Sequence, residues 1–361
     1  MRVINFNPGP AGLPLEALTQ ARDELLDYQG TGMSIMEHSH RGPAYEAVHQ
    51  EAIALITKLA GVPASHQVLL LPGPAHLHFA TVPMNFLHPG TRADYVVTGT
   101  WAERAVEEAQ LVGQARTVIS TRDAEGRYQR VPRREEIAVD PKAAYVHTTS
   151  NNTIFGTQFH PIPEFGAVPH ICDVSSDFLS RPLDVKSLAF AYAGAQKNLG
   201  PSGLVVGLGN KAFLASARKD IPKVLRYQTH AEADSLYHTP NTFAVYLMRN
   251  VLQWIDRLGG LTAMERRNRA KAEALYGAVD RRPDLFQAPV EKASRSWMNI
   301  VFRLPSQGLE AEFLKGATAA GMVGLKGHRS VGGVRVSAYN AVSEDDVKAL
   351  VGYMDEFARK H

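Results

Sequence analysis

The first 255 residues alternate short apolar runs with amphipathic stretches. Seven apolar runs predict strands, at 68–71, 95–97, 118–119, 145–146, 171–174, 190–192 and 204–208. Between the first three of these strands, the sequence predicts helices at 75–87 and 102–111. Apolar strands separated by helices indicate an α/β fold, in which helices cover both faces of a large, mostly parallel sheet.

Two amphipathic helices are predicted before the first strand. The first ends before Gly30 and carries four leucines on one face: Leu15, Leu18, Leu25 and Leu26. The second begins at Pro43, ends at Gly61 and has an apolar face formed by Val48, Leu55, Ile56 and Leu59. Proline at the start of a helix and glycine just after its end suit the backbone at those positions, which supports the second prediction.

The pattern changes after about residue 255. Gly259 and Gly260 interrupt a helix, and a long charged helix follows to about residue 279. Beyond it, strands near 298–302 and 334–336 alternate with a helix through Phe313 and a terminal helix. We therefore predict a large α/β domain over 15–255 and a small α+β domain over 256–361, which also includes the N-terminal segment 1–14.

The composition is that of an ordinary globular protein, with 45% hydrophobic and 21% charged residues. The net charge is only +3 and the basic residues are dispersed, so no nucleic-acid partner is expected. The single cysteine, Cys172, allows no internal disulfide, which is typical of a reducing compartment. The N-terminus lacks the apolar core of a signal peptide, and no apolar run approaches the ~20 residues that span a bilayer. We predict a cytoplasmic protein without membrane contact or a metal site.

The segment 192–203 carries the first candidate for catalysis. It follows a predicted strand, holds Lys197 among glycines and alanines, and turns through Gly200, Pro201 and Gly203. A lysine with such small neighbours can approach a bound ligand closely. Its ordinary pKa of about 10.4 has to be lowered before the amine can form a Schiff base, as the lysine of a pyridoxal-phosphate (PLP) enzyme does. Taken alone, the stretch would be better explained as an exposed loop lysine.

Asp173 ends the predicted strand that precedes the lysine segment. A buried carboxylate at a strand end needs a cationic partner. The protonated pyridine nitrogen of PLP is such a partner, and the pairing keeps the ring an electron sink. The alternative is that Asp173 caps the next turn.

Further candidates follow other predicted strands. Trp101 would stack on the pyridine ring, although most aromatics in such places belong to the core. Thr153 and Ser176 offer hydroxyl groups to the ring oxygen or to the phosphate. The helix that opens at Ala75 and His76 would bind the phosphate through free backbone N–H groups.

Six motifs resemble those of the phosphoserine aminotransferases, a family in the class V branch of fold-type I PLP enzymes. They are, in chain order, NFNPGPA at 5–11, SIMEHSHRG at 34–42, LSRP at 179–182, AGAQKN at 193–198, KGHR at 326–329 and GGVRVSAYNA at 332–341. The resemblance runs nearly from end to end. It implies the PLP-dependent transferase fold of type I, with the site between the two domains and near a dimer interface.

The resemblance also implies the roles of the residues that would bind PLP. Lys197 would form the Schiff base and carry a proton between the substrate Cα and the cofactor, and Asp173 would pair with the pyridine nitrogen. Trp101 would stack on the ring, while Thr153 and Gln196 would hold the ring oxygen and its surroundings. The cofactor phosphate would lie against Ala75, His76, His238 and Thr239.

The remaining implied roles concern the substrate. Arg335 would clamp its α-carboxylate in a bidentate fork, for which lysine would be a poor replacement. The distal phosphate or carboxylate would be bound by His40, Arg41, His328 and Arg329. In the family, the segment containing His40 and Arg41 crosses a two-fold dimer interface, as does an Asn-Thr pair that binds the cofactor phosphate.

Two departures from the family pattern concern the cofactor phosphate. The Asn-Thr pair is replaced here by His238 and Thr239, so the first of these contacts is left open. Pro74, in the loop that opens the phosphate-binding helix, removes one backbone donor. Neither change affects the residues proposed for the chemistry.

The resemblance implies a homodimer that transaminates phosphoserine with 2-oxoglutarate and, in the reverse direction, uses glutamate in L-serine synthesis. A further substrate would be the related phosphorylated hydroxy-oxobutanoate of pyridoxine synthesis. Independently, four basic or imidazole groups besides Arg335 exceed what one carboxylate needs, which favours dianionic substrates.

Two other classes of function stay open. A class V relative such as a serine–glyoxylate aminotransferase would have no use for His328 and Arg329, and a cysteine desulfurase would need a mobile cysteine rather than Cys172 in a predicted buried strand. A PLP-binding regulatory protein without turnover would be expected to lack Lys197 or to carry an added DNA-binding segment.

Overall fold

The computed structural model describes residues 2–361. The helices in this range are α1 Leu15–Asp23, α2 Pro43–Ala60, α3 Ala75–Phe86, α4 Thr100–Val112, α5 Lys211–Ala215, α6 Tyr227–Glu232, α7 Thr242–Arg257, α8 Gly260–Arg281, α9 Gln307–Ala319 and α10 Glu344–Lys360. The strands are β1 Ile4–Asn5, β2 His66–Pro72, β3 Arg92–Val97, β4 Gln114–Ser120, β5 Val146–Thr149, β6 Asn151–Asn152, β7 Thr157–Gln158, β8 His170–Asp173, β9 Phe190–Gly194, β10 Leu204–Asn210, β11 Asn299–Phe302, β12 Met322–Val323 and β13 Val334–Ser337. No helix of residues 2–361 combines the length and the apolar character needed to cross a membrane.

A seven-stranded sheet forms the centre of the molecule. Its strand order is β2-β10-β9-β8-β5-β3-β4. The strands from β9 to β4 are parallel, whereas β10 runs antiparallel to both of its neighbours. All seven predicted strands are present, and the prediction of a large, mostly parallel sheet is confirmed. Because β8 and β9 are parallel neighbours, Asp173 at the end of β8 and Lys197 just after β9 lie at the same edge of the sheet.

Helices cover both faces of this sheet. Side chains alternate between the two faces along each strand, and both faces carry apolar residues that need to be covered. Leu70 and Val206 point to one face, where they share a core with α2 and α7. Leu69 and Val205 point to the other face, where they pack with α3 and α4. The central strands are buried on both sides, and their polar side chains bond to one another, as between His147 Nε2 and the Tyr192 hydroxyl at 2.9 Å. The sheet is therefore a rigid base for the residues at its edge.

The C-terminal part forms a third core that also includes Phe6. The antiparallel pair β11–β13 packs there with α9, α10 and the second half of α8. The N-terminal strand β1 joins the same part through its parallel pairing with β12. Helix α8 contributes Leu261 to the first core and Leu275 to the third, so it runs from one to the other. The predicted domain division at 255/256 stays a prediction.

The predicted apolar face of the first helix is wrong for three of its four leucines, and only Leu18 packs against the core, partly buried. Helix α1 ends at Asp23, so Leu25 and Leu26 lie outside it, and Leu26 is 84% exposed. Leu15 is exposed as well, and the buried positions of α1 are Ala17 and Ala21. Small alanines allow α1 to lie close against α7, which the leucine pattern could not indicate.

Candidate active site

A cavity of about 320 Å³ lies at the sheet edge where β8 and β9 end. Residues from the sheet, from the N-terminal segment and from the C-terminal part line it together. Nine of the residues predicted for the site are among them: Ala75, His76, Trp101, Thr153, Asp173, Gln196, Lys197, His328 and Arg335. The structure thus brings together residues that lie up to 260 positions apart in the chain, from Ala75 to Arg335.

Lys197 follows β9 on the short loop that leads to β10, and its side chain is half-buried. Its Nζ donates a hydrogen bond to the Thr153 hydroxyl at 2.8 Å. Burial lowers the pKa of Lys197 to about 8, with Asp173 acting in the opposite direction and Arg335 adding to the decrease. The amine is therefore available in its neutral, nucleophilic form at a pH where an exposed lysine is protonated.

Asp173 is the last residue of β8 and is 5% exposed. One carboxylate oxygen, Oδ1, accepts a hydrogen bond from the Ser175 backbone N–H at 2.9 Å. Burial raises the pKa of Asp173, while the nearby Ser175 and Lys197 act to lower it. A buried carboxylate that lines a cavity is stabilised by a cation bound there, which is the environment expected of a partner for a pyridinium nitrogen.

Trp101 lies in the first turn of α4 and forms one wall of the cavity together with His76. The two rings are perpendicular, with centroids 4.8 Å apart. The indole Nε1 is buried and has no hydrogen-bond partner among residues 2–361. Burial lowers the pKa of His76, and Arg104 lowers it further, so the site favours the neutral form of this imidazole.

Arg104 was missed by the sequence reasoning. It lies three residues after Trp101 on α4, and its guanidinium is 5.4 Å from the centroid of the Trp101 ring. It also contributes to the lowered pKa of both His76 and His328. Its spacing of three helical positions from Trp101 is the signal that would have indicated it.

Arg335 comes from β13 and is only 6% exposed. Its Nη1 donates to the Thr153 carbonyl oxygen in a long hydrogen bond of 3.4 Å, and its Nε has no partner among the described residues. Burial lowers the pKa of Arg335, as expected for a guanidinium that is kept from water without a carboxylate beside it. Such a group is suited to bind a carboxylate in a bidentate fork.

His328 belongs to the turn between β12 and β13, and it lines a second cavity of about 270 Å³ together with Arg335. Its Nδ1 lies 2.7 Å from the Ser330 hydroxyl. Burial lowers the pKa of His328, and the neighbouring Arg335 and Arg329 lower it further. The two cavities meet at His328 and Arg335, so a ligand held by Arg335 can extend from one into the other.

The N-terminal motif at 5–11 lies against the lysine loop. Gly9 has φ +134°, and a Cβ atom there would lie 3.4 Å from Cγ of Lys197. The Ala11 N–H donates to the Gln196 carbonyl oxygen at 2.9 Å. A residue with a side chain would be strained at Gly9 and would crowd the lysine, which explains the glycine in this motif.

The structure does not bring all predicted residues to the cavity of one protomer. His40, Arg41, His238, Thr239 and Arg329 do not line it. Arg41 and Thr239 are exposed. His40 Nε2 and His238 Nδ1 are buried and have no hydrogen-bond partner within residues 2–361.

The hydroxyl predicted at Ser176 also points elsewhere. It donates to the Asn151 carbonyl oxygen at 2.8 Å, so the prediction that it faces the ring oxygen or phosphate is wrong. Ser175 lines the cavity instead. Asp173 and Ser175 are two positions apart and therefore face the same side, as the alternation of a strand predicts, and the Ser175 N–H bonds to the Asp173 carboxylate.

The residues present fit PLP. Asp173 is a buried carboxylate that calls for a cation, Trp101 offers a flat wall, and Lys197 has a lowered pKa. Ala75 and His76 form the first turn of α3, whose backbone N–H groups have no acceptor within the helix. Among residues 2–361, no group of three or more His, Cys, Asp or Glu side chains is arranged to hold a metal ion.

Comparisons with known proteins agree with this site. A family model described as Aminotransferase class-V matches residues 3–350. The phosphoserine aminotransferase of Lysinibacillus sphaericus (strain C3-41) is 48% identical over 360 residues, which cover 100% of this chain and 99% of that protein. The phosphoserine aminotransferase of Bacillus subtilis (strain 168) is 46% identical over 361 residues, covering 100% of this chain and 99% of that protein.

Two solved structures show the same fold. The structure of phosphoserine aminotransferase from Bacillus circulans subsp. alkalophilus has a TM-score of 0.96 and 49% identity, covering 99% of each chain. The PLP-bound phosphoserine aminotransferase from Trichomonas vaginalis has a TM-score of 0.92 and 34% identity, covering 98% of this chain and 100% of that chain. On these grounds the chain belongs to the phosphoserine aminotransferase family of class V, PLP-dependent aminotransferases.

Proposed function

We propose that this protein catalyses the reversible transfer of the amino group between L-phosphoserine and 2-oxoglutarate. The observation that carries the proposal is the meeting of Lys197, Asp173 and Arg335 in one cavity, with the pKa of Lys197 lowered to about 8. The family membership supports the same reaction. Glutamate is then the donor in the direction of serine synthesis, with 3-phosphohydroxypyruvate as the acceptor.

The residues proposed to hold PLP surround this lysine. Asp173 would pair with the pyridine nitrogen, Trp101 would cover one face of the ring, and Gln196 and Thr153 would lie near its oxygen. Ala75 and His76 would bind its phosphate at the start of α3. When bound, PLP supplies an aldehyde that takes up the amino group and a ring that withdraws electrons from the substrate Cα.

The chain's own residues would position the substrate and move the proton. Arg335 would bind the α-carboxylate through its guanidinium, which is buried and has no carboxylate partner in the protein. The neutral Nζ of Lys197 would remove the proton from the substrate Cα and carry it to the cofactor. Thr153 contacts both residues, through its hydroxyl and its carbonyl oxygen, and so fixes the distance between them.

The distal phosphate would lie on the side of His328 and Arg329. We propose that a second copy of the chain completes this side with the partner's His40 and Arg41. The support is an exposed apolar surface on the segment 25–36, where Leu25, Leu26, Met33 and Met36 are 38%, 84%, 42% and 51% exposed. A surface of this kind beside basic residues is typical of an interface between protein chains. His238 and Thr239 would reach the partner's cofactor phosphate in the same homodimer.

An anionic distal site would accept a phosphate and a γ-carboxylate alike, so both half-reactions fit one cavity. The phosphorylated hydroxy-oxobutanoate of pyridoxine synthesis has the same two ends and is a second proposed substrate. We propose a cytoplasmic location, which the single buried Cys172 and the biosynthetic relatives support.

The alternatives lose support at specific residues. A desulfurase would need a mobile thiolate, but Cys172 is fully buried in β8 and burial raises the pKa of its thiol. A PLP-binding protein without turnover would not need a lysine with a lowered pKa beside an arginine that is free to bind a carboxylate.

Steady-state assays with a series of amino donors test the proposal. With 2-oxoglutarate as acceptor, we expect kcat/KM for L-phosphoserine to exceed that for L-serine and L-alanine by at least ~100-fold, because neutral donors leave the distal cations unpaired. Equal kcat/KM values for phosphorylated and neutral donors would contradict the assignment of the substrate.

A further inference from the structure

Lys271 is a fully buried lysine that the proposed chemistry does not use. It lies on α8 and is 2% exposed. Its Nζ donates three hydrogen bonds, to the carbonyl oxygens of Ala338, Tyr339 and Val342, at 2.9, 2.7 and 2.9 Å. A protonated amine has three N–H groups, so this arrangement satisfies all of them and defines the shape of the turn 338–342. Burying an ammonium group is costly, which makes its use at a simple turn unexpected.

The turn that Lys271 holds reaches the catalytic loop through Asn340. The Asn340 N–H donates to Oδ1 of Asn198 at 3.0 Å, and Asn198 directly follows Lys197. The Asn340 side chain donates to the Leu179 carbonyl oxygen at 2.9 Å and accepts from Asn268 at 2.8 Å. All the side chains in this chain of bonds are less than 5% exposed.

The same turn is also tied to the other side of the cavity. The Tyr339 hydroxyl donates to the Pro8 carbonyl oxygen at 2.9 Å, directly before Gly9, which packs on Lys197. The turn follows β13, which carries Arg335. One turn of backbone therefore connects the strand of the proposed carboxylate clamp with both segments that surround the lysine.

We propose that Lys271 and Asn340 are positioning residues that keep Lys197 at the correct distance from Arg335. Lys271 fixes the conformation of the turn 338–342, and Asn340 connects this turn to Asn198, which follows Lys197. This inference rests on the proposed function, since Lys197 and Arg335 have their roles only there. A displacement of about 1 Å at a reacting group can lower a rate by about 100-fold, so small errors in this turn are sufficient to matter.

The test uses the holoenzyme with three single variants and one double variant. Lys271→Met keeps the length of the side chain and removes its three donors. Asn340→Ala leaves the acceptors of Lys271 in place, because these are backbone oxygens. Met354→Ala is the matched control, since it opens a cavity in the same C-terminal core on α10, away from the turn. The Lys271→Met/Asn340→Ala double variant completes the cycle.

We expect Lys271→Met and Asn340→Ala to bind PLP and to lose 10- to 100-fold in kcat with phosphoserine, on the order of a small displacement at Lys197. The KM for phosphoserine should change less, because the bonds of Asn340 reach the lysine loop and not Arg335. The kcat of the double variant should be no lower than that of the less active single variant, since both residues act through the same turn. Amide exchange in the turn 338–342 should become faster in Lys271→Met and stay unchanged in Met354→Ala.

The inference is overturned if both variants keep kcat within twofold of Met354→Ala at a similar melting temperature, or if their effects multiply in the double variant. If Lys271→Met does not fold, the kcat of Asn340→Ala is compared with that of Met354→Ala alone, and a difference within twofold overturns the inference. An inactive wild type with phosphoserine would instead refute the proposed function. In that case the comparison is repeated with the donor that the wild type does use.

Discussion

Lys197 differs from an ordinary surface lysine through its surroundings rather than through its own chemistry. Burial lowers its pKa to about 8, and Thr153 holds its Nζ at 2.8 Å. Asp173 keeps the pKa from falling further, because a nearby carboxylate favours the ammonium form. The amine is thus partly neutral near physiological pH, as a group that must attack an aldehyde and later accept a proton requires.

This pKa predicts how the apoprotein takes up PLP. Only the neutral amine adds to the aldehyde, and a lowered pKa means that the neutral form is dominant above about pH 8. We expect the rate of appearance of the visible band on mixing with PLP to be constant above this pH. Below it, the rate should fall about tenfold per pH unit. Stopped-flow absorbance across pH 6–11 measures this, and an inflection near 10.5, the ordinary lysine value, would contradict the assignment.

The turn between β12 and β13 is the element that presents His328 to the cavity. Gly327 and Gly333 face each other across its base, with the Gly327 N–H bonded to the Gly333 carbonyl oxygen at 2.9 Å. A Cβ atom on Gly327 would lie 1.9 Å from the Gly332 carbonyl oxygen. No side chain fits this space, so the turn would have to open.

Gly327→Ala should therefore displace His328 and weaken binding at the distal site. We expect the KM for phosphoserine to rise at least ~10-fold, with a smaller effect on kcat, because Lys197 and Arg335 are on other elements. Gly352→Ala on α10 is the control, since a Cβ atom there meets nothing within 4 Å. Equal KM values for the two variants would show that the shape of this turn does not matter for the substrate.

The elements of the large sheet could be predicted because most of its strands are buried on both faces and give clear apolar runs, whereas the edge strand β4 is largely exposed. The first helix could not, since its buried positions are Ala17 and Ala21, whereas Leu15 is exposed and Leu18 is only partly buried. Leucine spacing predicts an apolar face but does not show where a helix ends or what covers that face. The exposure of Leu26 agrees with the proposed contact to a second copy of the chain.

At the scale of the whole molecule, the cavity unites the N-terminal segment, the sheet edge and β13. The residues at strand ends, Asp173 and Lys197, could be assigned to one site because parallel strands place their ends at one edge. Arg335 could be assigned only through the family resemblance, because nothing local in the sequence shows which distant segments meet. His40 and Arg41 stay predictions, since one protomer does not bring them to its own cavity.

A mixing experiment tests the proposal that the partner's Arg41 completes the site. Lys197→Ala and Arg41→Ala homodimers should each have little activity with phosphoserine. After the subunits are exchanged, heterodimers contain one site with both native residues, so activity should return to about a quarter of the wild-type level. No recovery after verified exchange would mean that Arg41 acts in its own protomer, and a fully active Arg41→Ala homodimer would mean that it takes no part in the reaction.

The most direct test of the central claim is the visible spectrum of the purified holoenzyme on addition of L-phosphoserine and then 2-oxoglutarate. If Lys197 holds PLP and the cavity transfers amino groups from phosphoserine, the yellow band should disappear with the donor alone and return with the acceptor. A yellow protein that phosphoserine does not change would keep the cofactor but contradict the proposed substrate. The absence of a yellow band after incubation with PLP would contradict the role of Lys197 itself.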